Sequence, residues 1–324
     1  MENEEDPEDY PECAEFPCVI PGDESTTPSP AGLPAPGSPK SRSFHTACAA
    51  CSLQGPRESS QDRACALRLI LPGETEIAFA AVADGMGGHE GGERAARLAL
   101  RGVLEEAVCQ AVQDADGIQG FRPEQALCSG LLRGQRYLAH VTARCPDFEG
   151  MGATLTAAIA LGRELHVASL GDTRLHLWSG GELLQLTRDD SVVQRLLDED
   201  LLEPNEAESH PLANVVTRAL CVDEDLTLCE VIRCGLLPGD VVIISSDGFW
   251  KYAADWLPEV LDELDGRDVN EDRLMQAAQA LARRALEQGS DDNVSIALLR
   301  CGDSTVKPLP RRVTVETTQQ EEAS

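Results

Sequence analysis

Five aspartates and one arginine carry the first chemical hint. Asp84 and Asp247 each close an apolar run and precede a glycine. Asp62 follows a turn, Asp292 comes just ahead of the last apolar run, and Asp172 sits in a Gly-Asp-Thr turn. At strand ends and turns, side chains from separate strands can converge on one rim, where carboxylates repel one another unless cations neutralise them. Hard oxygen ligands without a matching His/Cys set indicate Mg²⁺ or Mn²⁺. Two such ions roughly 3.5–4 Å apart can share a water, lower its pKa and aim it at a phosphorus. Arg57, five residues before Asp62, suits bidentate contact with the phosphate. Singly, each Asp-Gly is also an ordinary turn, so the combination has to carry the reading.

Those acids need strands to hold them. Residues 44–53, 63–71 and 76–83 read as strands, the second and third turned at 72–74. The third is nearly continuously apolar, as suits a strand buried on both faces, and closes at Asp84. A knot of glycines follows, Gly85, Gly87, Gly88, Gly91 and Gly92. Two long helices come next, one over 90–113 and one starting near Pro123, a good first-turn residue. The second places Leu127, Leu131, Leu138 and Val141 at helical spacing.

Residues 153–161, 164–170, 174–178 and 182–186 read as strands, with 171–173 as a hairpin turn. A mostly polar insert spans about 189–227, with a short helix near 191–200. Strands at 230–234 and 240–246 precede two helices, the second with Asn270 as its N-cap. A last strand covers 294–299. Runs of strands alternating with pairs of helices favour an α+β layered fold with largely antiparallel sheets over a doubly wound one.

Composition narrows the function classes. The 324 residues are 42% hydrophobic and carry a net charge of −29. That balance argues against nucleic acid and anionic membrane as partners. Seven acids in the first twelve residues and a Pro/Ser/Gly-rich continuation make 1–42 a disordered tail, of regulatory, docking or merely solvating use. One domain is expected over 43–303, then a flexible C-terminal tail over 304–324. Among the 12 cysteines, only Cys48 and Cys51 form a close C-x-x-C pair, on opposite faces if they lie on a strand. Reduced cysteines in a cytoplasmic protein are therefore expected. No basic-then-apolar start marks a signal peptide, and no apolar run approaches the ~20 residues of a membrane helix.

The motifs Gly55-x-Arg57 with Ser60-Gln61-Asp62-Arg63, and Val82-Ala83-Asp84-Gly85-Met86-Gly87-Gly88-His89, resemble the first two of the type 2C metal-dependent serine/threonine protein phosphatases (the PPM family), the second in its bacterial form. Met151-Gly152-Ala153-Thr154, Ser169-Leu170-Gly171-Asp172-Thr173-Arg174, Ser246-Asp247-Gly248 and Asp291-Asp292-Asn293 continue the resemblance in order. It implies a four-layer α-β-β-α sandwich with two metal ions, Mn²⁺ or Mg²⁺, at one edge. Asp62, Asp84, Asp247, Asp292 and the Gly85 carbonyl would be ligands, Arg57 would bind the substrate phosphate, and Asp172 would belong to a weaker third metal position. A metal-bridging water would hydrolyse phosphoserine and phosphothreonine on a protein substrate, a serine/threonine kinase or its target. The insert at 189–227 corresponds to the family's flap.

A monomer is expected. The alternative is a folded, non-enzymatic member that binds a phosphoprotein.

The chain departs from the family pattern at several points. Ser60 replaces a usual Asn, and Gln61 a common Glu. Lys251 stands four residues after Asp247, where many members carry an acid for the third metal. Met86 replaces a histidine assigned as general acid in animal-type members. His89 is then either a catalytic neighbour or a helix-start residue.

Overall fold

The computed structural model describes residues 45–71, 75–113, 120–207, 209–253, 256–262, 264, 270–302 and 313–319. All lie within one compact unit, Arg42–Ser324. The tail read at 1–42 and the turn read at 72–74 fall outside them.

Strand β3 (Thr75–Met86) shows how the layers form. Ile77, Phe79, Ala81 and Ala83 bury into one apolar cluster, while Ala78, Ala80 and Val82 bury into another. Successive side chains point to opposite faces, so a strand apolar throughout must be covered on both.

Two antiparallel sheets result. The five-stranded one runs β1 (Thr46–Leu53), β11 (Val294–Cys301), β10 (Val241–Ser245), β6 (Arg174–Ser179), β7 (Glu182–Gln185). The seven-stranded one runs β12 (Val313–Gln319), β9 (Leu228–Gly235), β5 (Glu164–Leu170), β4 (Gly152–Leu161), β3, β2 (Arg63–Leu71), with β8 (Leu220–Cys221) on β4. Their facing sides share the cluster of Ala80, Val82, Val167, Leu177, Ile244 and Ala297.

Helices α1 (His89–Gln113) and α2 (Pro123–Arg144) cover the outer face of the larger sheet. Helices α4 (Asp247–Ala253), α5 (Leu257–Asp262) and α6 (Glu271–Glu287) cover the smaller one. Helix α3 (Val192–Asp198) lies in the insert. Asn270 caps α6 as expected, its side chain accepting from the Arg273 amide at 3.0 Å. This is the α-β-β-α sandwich that the motifs imply. Among the described residues no helix is long and apolar enough to cross a membrane.

Five readings change. Among the described residues, three helices, α4, α5 and α6, stand between β10 and β11 where two were expected. Strand β3 does not close at Asp84: Asp84, Gly85 and Met86 pair with Thr154, Ala153 and Gly152. The chain turns only at Gly87 and Gly88, both at positive φ. Residues 171–173 are not a hairpin turn, since β5 and β6 belong to different sheets. Gly171 has φ of +96°, and a Cβ there would meet the Thr154 side chain at 2.6 Å, so the crossing runs tight against β4.

The 304–324 tail contains β12, paired to β9; its Val-Thr-Val-Glu-Thr-Thr run is rich in β-branched residues, which suit a pleated surface. Finally, the expectation that all cysteines are reduced fails at Cys128 and Cys229. They form a disulfide from α2 to β9 across a Cα–Cα distance of 5.7 Å.

Candidate active site

Strand register brings Asp62 and Asp84 together. Arg63 of β2 pairs with Ala83 of β3, so the next rung outward faces Asp62 with Asp84. Their carboxyls hydrogen-bond to each other. Ser246, the residue after β10, donates its Oγ to Asp62 Oδ2 at 2.6 Å and so ties the two sheets together at this edge. Asp62 is 2% exposed. Burial pushes its carboxyl up to about 7, against the lowering Ser246 hydrogen bond, and the charges of Asp247 and Asp292 add to the rise. Burial likewise drives Asp84 well above the usual carboxylate range, with Asp62, Asp247 and Asp172 contributing.

The other two acids hold cations of the protein itself. Asp247 opens α4, and Lys251 one turn later donates to its Oδ2 at 2.6 Å. Arg57 donates through Nη2 to Asp292 Oδ2 at 2.7 Å and through Nε to the Asp291 carbonyl at 2.9 Å. Burial raises the Asp292 carboxyl, while the Asn293 amide and Arg57 oppose the rise. Asp172, 8% exposed at the crossing between sheets, is pushed up to about 7 by burial and then by Asp247 and Asp189, with Lys251 opposing.

A residue that sequence reasoning left without a role holds the Arg57 loop. The Asn293 side chain donates to the carbonyls of Gln54 at 2.6 Å and Ser59 at 3.0 Å, and accepts from the Gln61 amide at 2.7 Å. An asparagine offers one acceptor and two donors in one plane, and all three are used. Its position beside Asp292 was the available signal. Gln61 extends the same support by donating to the Gly88 carbonyl at 2.8 Å. At Gly85 any Cβ would lie 1.9 Å from the Gly92 carbonyl oxygen, so the close approach of α1 requires glycine there. His89 opens α1, and its side chain lies outside those described.

The arrangement fits divalent ions by donor type and charge. Asp62, Asp84, Asp247 and Asp292 supply only carboxylate oxygens, and burial, with repulsion between the acids adding to it, raises the proton affinities of Asp62, Asp84 and Asp292, as expected where cations belong. Among the described residues, no three acidic, His or Cys side chains already surround one point as ligands. Asp62 and Asp84 hold each other, and Lys251 and Arg57 hold the remaining two.

Comparison with known proteins agrees with this geometry. The family model described as Protein phosphatase 2C matches residues 58–298. Serine/threonine protein phosphatase PstP of Mycobacterium tuberculosis is 35% identical over 221 residues, 67% of this chain and 39% of the relative. The chain thus spans well under half the length of that relative. Protein phosphatase PhpP of Streptococcus pneumoniae is 30% identical over 222 residues, 67% of this chain and 83% of the relative. Among solved structures, M. tuberculosis PstP/Ppp superimposes with a TM-score of 0.66 at 31% identity, covering 80% of this chain and 99% of that one. The PstP catalytic domain in complex with two manganese ions gives 0.64 at 30% identity, over 80% and 100%.

Proposed function

This chain belongs to the protein phosphatase 2C family, and on that premise we propose that it hydrolyses phosphoserine and phosphothreonine on proteins with two Mn²⁺ or Mg²⁺ ions. The observation that carries the reading is the convergence of Asp62, Asp84, Asp247 and Asp292, from the approach to β2, β3, α4 and the approach to β11, at one edge of the two sheets beside Arg57. Asp62, Asp84, Asp247, Asp292 and the Gly85 carbonyl would hold the ions. Bound there, they supply a water of lowered pKa as nucleophile.

The chain's own residues do the rest. Arg57 exchanges its contact with Asp292 for the substrate phosphate, its fork matching two phosphate oxygens. Asn293 and Gln61 hold the loop that aims Arg57. Ser246 fixes the orientation of Asp62.

The finer part of the proposal is a cytoplasmic monomer that opposes a serine/threonine kinase in signalling. Its support is the family's chemistry; the Cys128–Cys229 pair pulls against a reducing compartment. The test is phosphate release from a phosphothreonine peptide by the purified chain. Release that requires Mn²⁺ and stops on chelation supports the reading, and metal-indifferent release or none contradicts it.

A further inference from the structure

Asn214 lies where the insert after β7 returns to the sheets. Around it, the Val192 amide donates to the Val215 carbonyl at 2.9 Å and the Thr217 amide to the Asp190 carbonyl at 2.7 Å. Its neighbours Leu212 and Val215 expose apolar surface, at 43% and 42%. Asn214 Oδ1 accepts from Lys251 Nζ at 2.8 Å, and the same ammonium donates to Asp247 Oδ2 at 2.6 Å. One cation therefore joins the middle of the insert to a candidate metal ligand.

The root of the insert is tied to the same helix. Asp189 makes a bidentate pair with Arg174, whose guanidinium lies 3.4 Å from the centre of the Trp250 ring. The Trp250 indole donates to the Asp172 carbonyl at 3.2 Å. Burial disfavours charge on Lys251, but Asp247, Asp172 and Asp292 outweigh it and raise its pKa. An i,i+4 ion pair by itself stabilises a helix little, so the use of Lys251 lies in what it holds in place.

We propose that Lys251 is a positioning residue: its ammonium takes the place of a third cation between Asp172 and Asp247, and through Asn214 it latches the Leu212–Val215 surface beside the site to contact an apolar residue flanking the phosphorylated side chain. The substrate half rests on the phosphatase reading; the latch does not.

The test reads amide hydrogen exchange over residues 210–218 and Mn²⁺ stoichiometry by calorimetry, on the full chain and its N214A, K251R and K251D variants. N214A is expected to speed exchange in that segment about 10- to 100-fold, with α6 unchanged, as for loss of one hydrogen bond to a charged group. KM for a phosphothreonine peptide with a flanking leucine rises by a similar factor, while turnover of an aryl phosphate changes less than about twofold. K251R keeps slow exchange, and K251D binds one Mn²⁺ more than wild type.

Unchanged exchange in N214A, or equal ion counts in wild type and K251D, overturns the proposal. Neither readout needs turnover. A chain that behaves so but hydrolyses nothing contradicts the phosphatase reading and leaves the latch standing.

Discussion

Asp62 and Asp84 face each other across a strand rung, and among the described residues neither carboxylate holds a basic side chain. Asp247 and Asp292, on the other side of the site, each hold one, Lys251 and Arg57. Both pairs carry the same chemical group, but burial and repulsion push the inner pair's proton affinities up with hydrogen bonds to Asp62, and no basic side chain, opposing the rise. The outer pair is partly neutralised from within the protein. A divalent ion therefore relieves most strain at the inner pair. At the outer pair it would compete with these two side chains, for which we propose other uses, phosphate binding for Arg57 and insert positioning for Lys251.

Removing an inner acid is expected to do the most. D84N should lower Mn²⁺-dependent turnover about 10³-fold, since ion binding and water activation are lost together. A loss of less than about tenfold in phosphate-release kinetics would erase the contrast between the pairs. R57A should cost kcat/KM about 10- to 100-fold, the value of a charge-assisted hydrogen bond of ~1.5–3 kcal/mol, while Mn²⁺ stoichiometry stays that of wild type. Equal loss of metal binding in R57A and D84N would mean that Arg57 belongs to the ion cage rather than to the substrate.

The pH dependence sharpens the comparison further. The Asp62 carboxyl is raised to about 7 in the folded chain, so its contribution to stability is fully present below the ordinary carboxylate range and is lost as pH rises through about 7. In chelator, D62N should therefore melt higher than wild type at pH 8, by up to a few degrees, and level with it or lower near pH 4. Thermal melts at the two pH values decide it, and Mn²⁺ should reverse the order at pH 8. The smallest effect on the site is expected from C128S. It breaks a bridge between α2 and β9, with sequence separation 101, on two elements that carry none of the site's acids. Stability should fall by ~2–4 kcal/mol in denaturant melts, with turnover within about twofold.

Asp84 and Asp247, one acid from each pair, were the most legible in sequence. Each closes an apolar run, a local signal that one stretch carries, although at Asp84 the strand itself runs on to Met86. The same holds for the Asn270 cap and for the exact span of β5 at Glu164–Leu170. Lys251 beside Asp247 is a local i,i+4 relation that the sequence shows, but the Lys251–Asn214 and Arg57–Asp292 contacts were not legible, because they join positions 37 and 235 residues apart. Residues 171–173 looked like a hairpin because turn chemistry is the same whether the next strand returns to its own sheet or crosses to another. The disulfide was missed because compartment-based expectation says nothing about which side chains fold together.

The central claim is that Asp62, Asp84, Asp247 and Asp292, gathered at one edge of the two sheets, would hold two divalent ions, and that binding of both depends on Asp84. Calorimetric titration of the chelator-treated chain with Mn²⁺ tests it most directly, wild type beside D84N. The account predicts two ions bound by wild type and loss of both in D84N. Wild type that binds no Mn²⁺, or D84N that binds both ions undiminished, would contradict it.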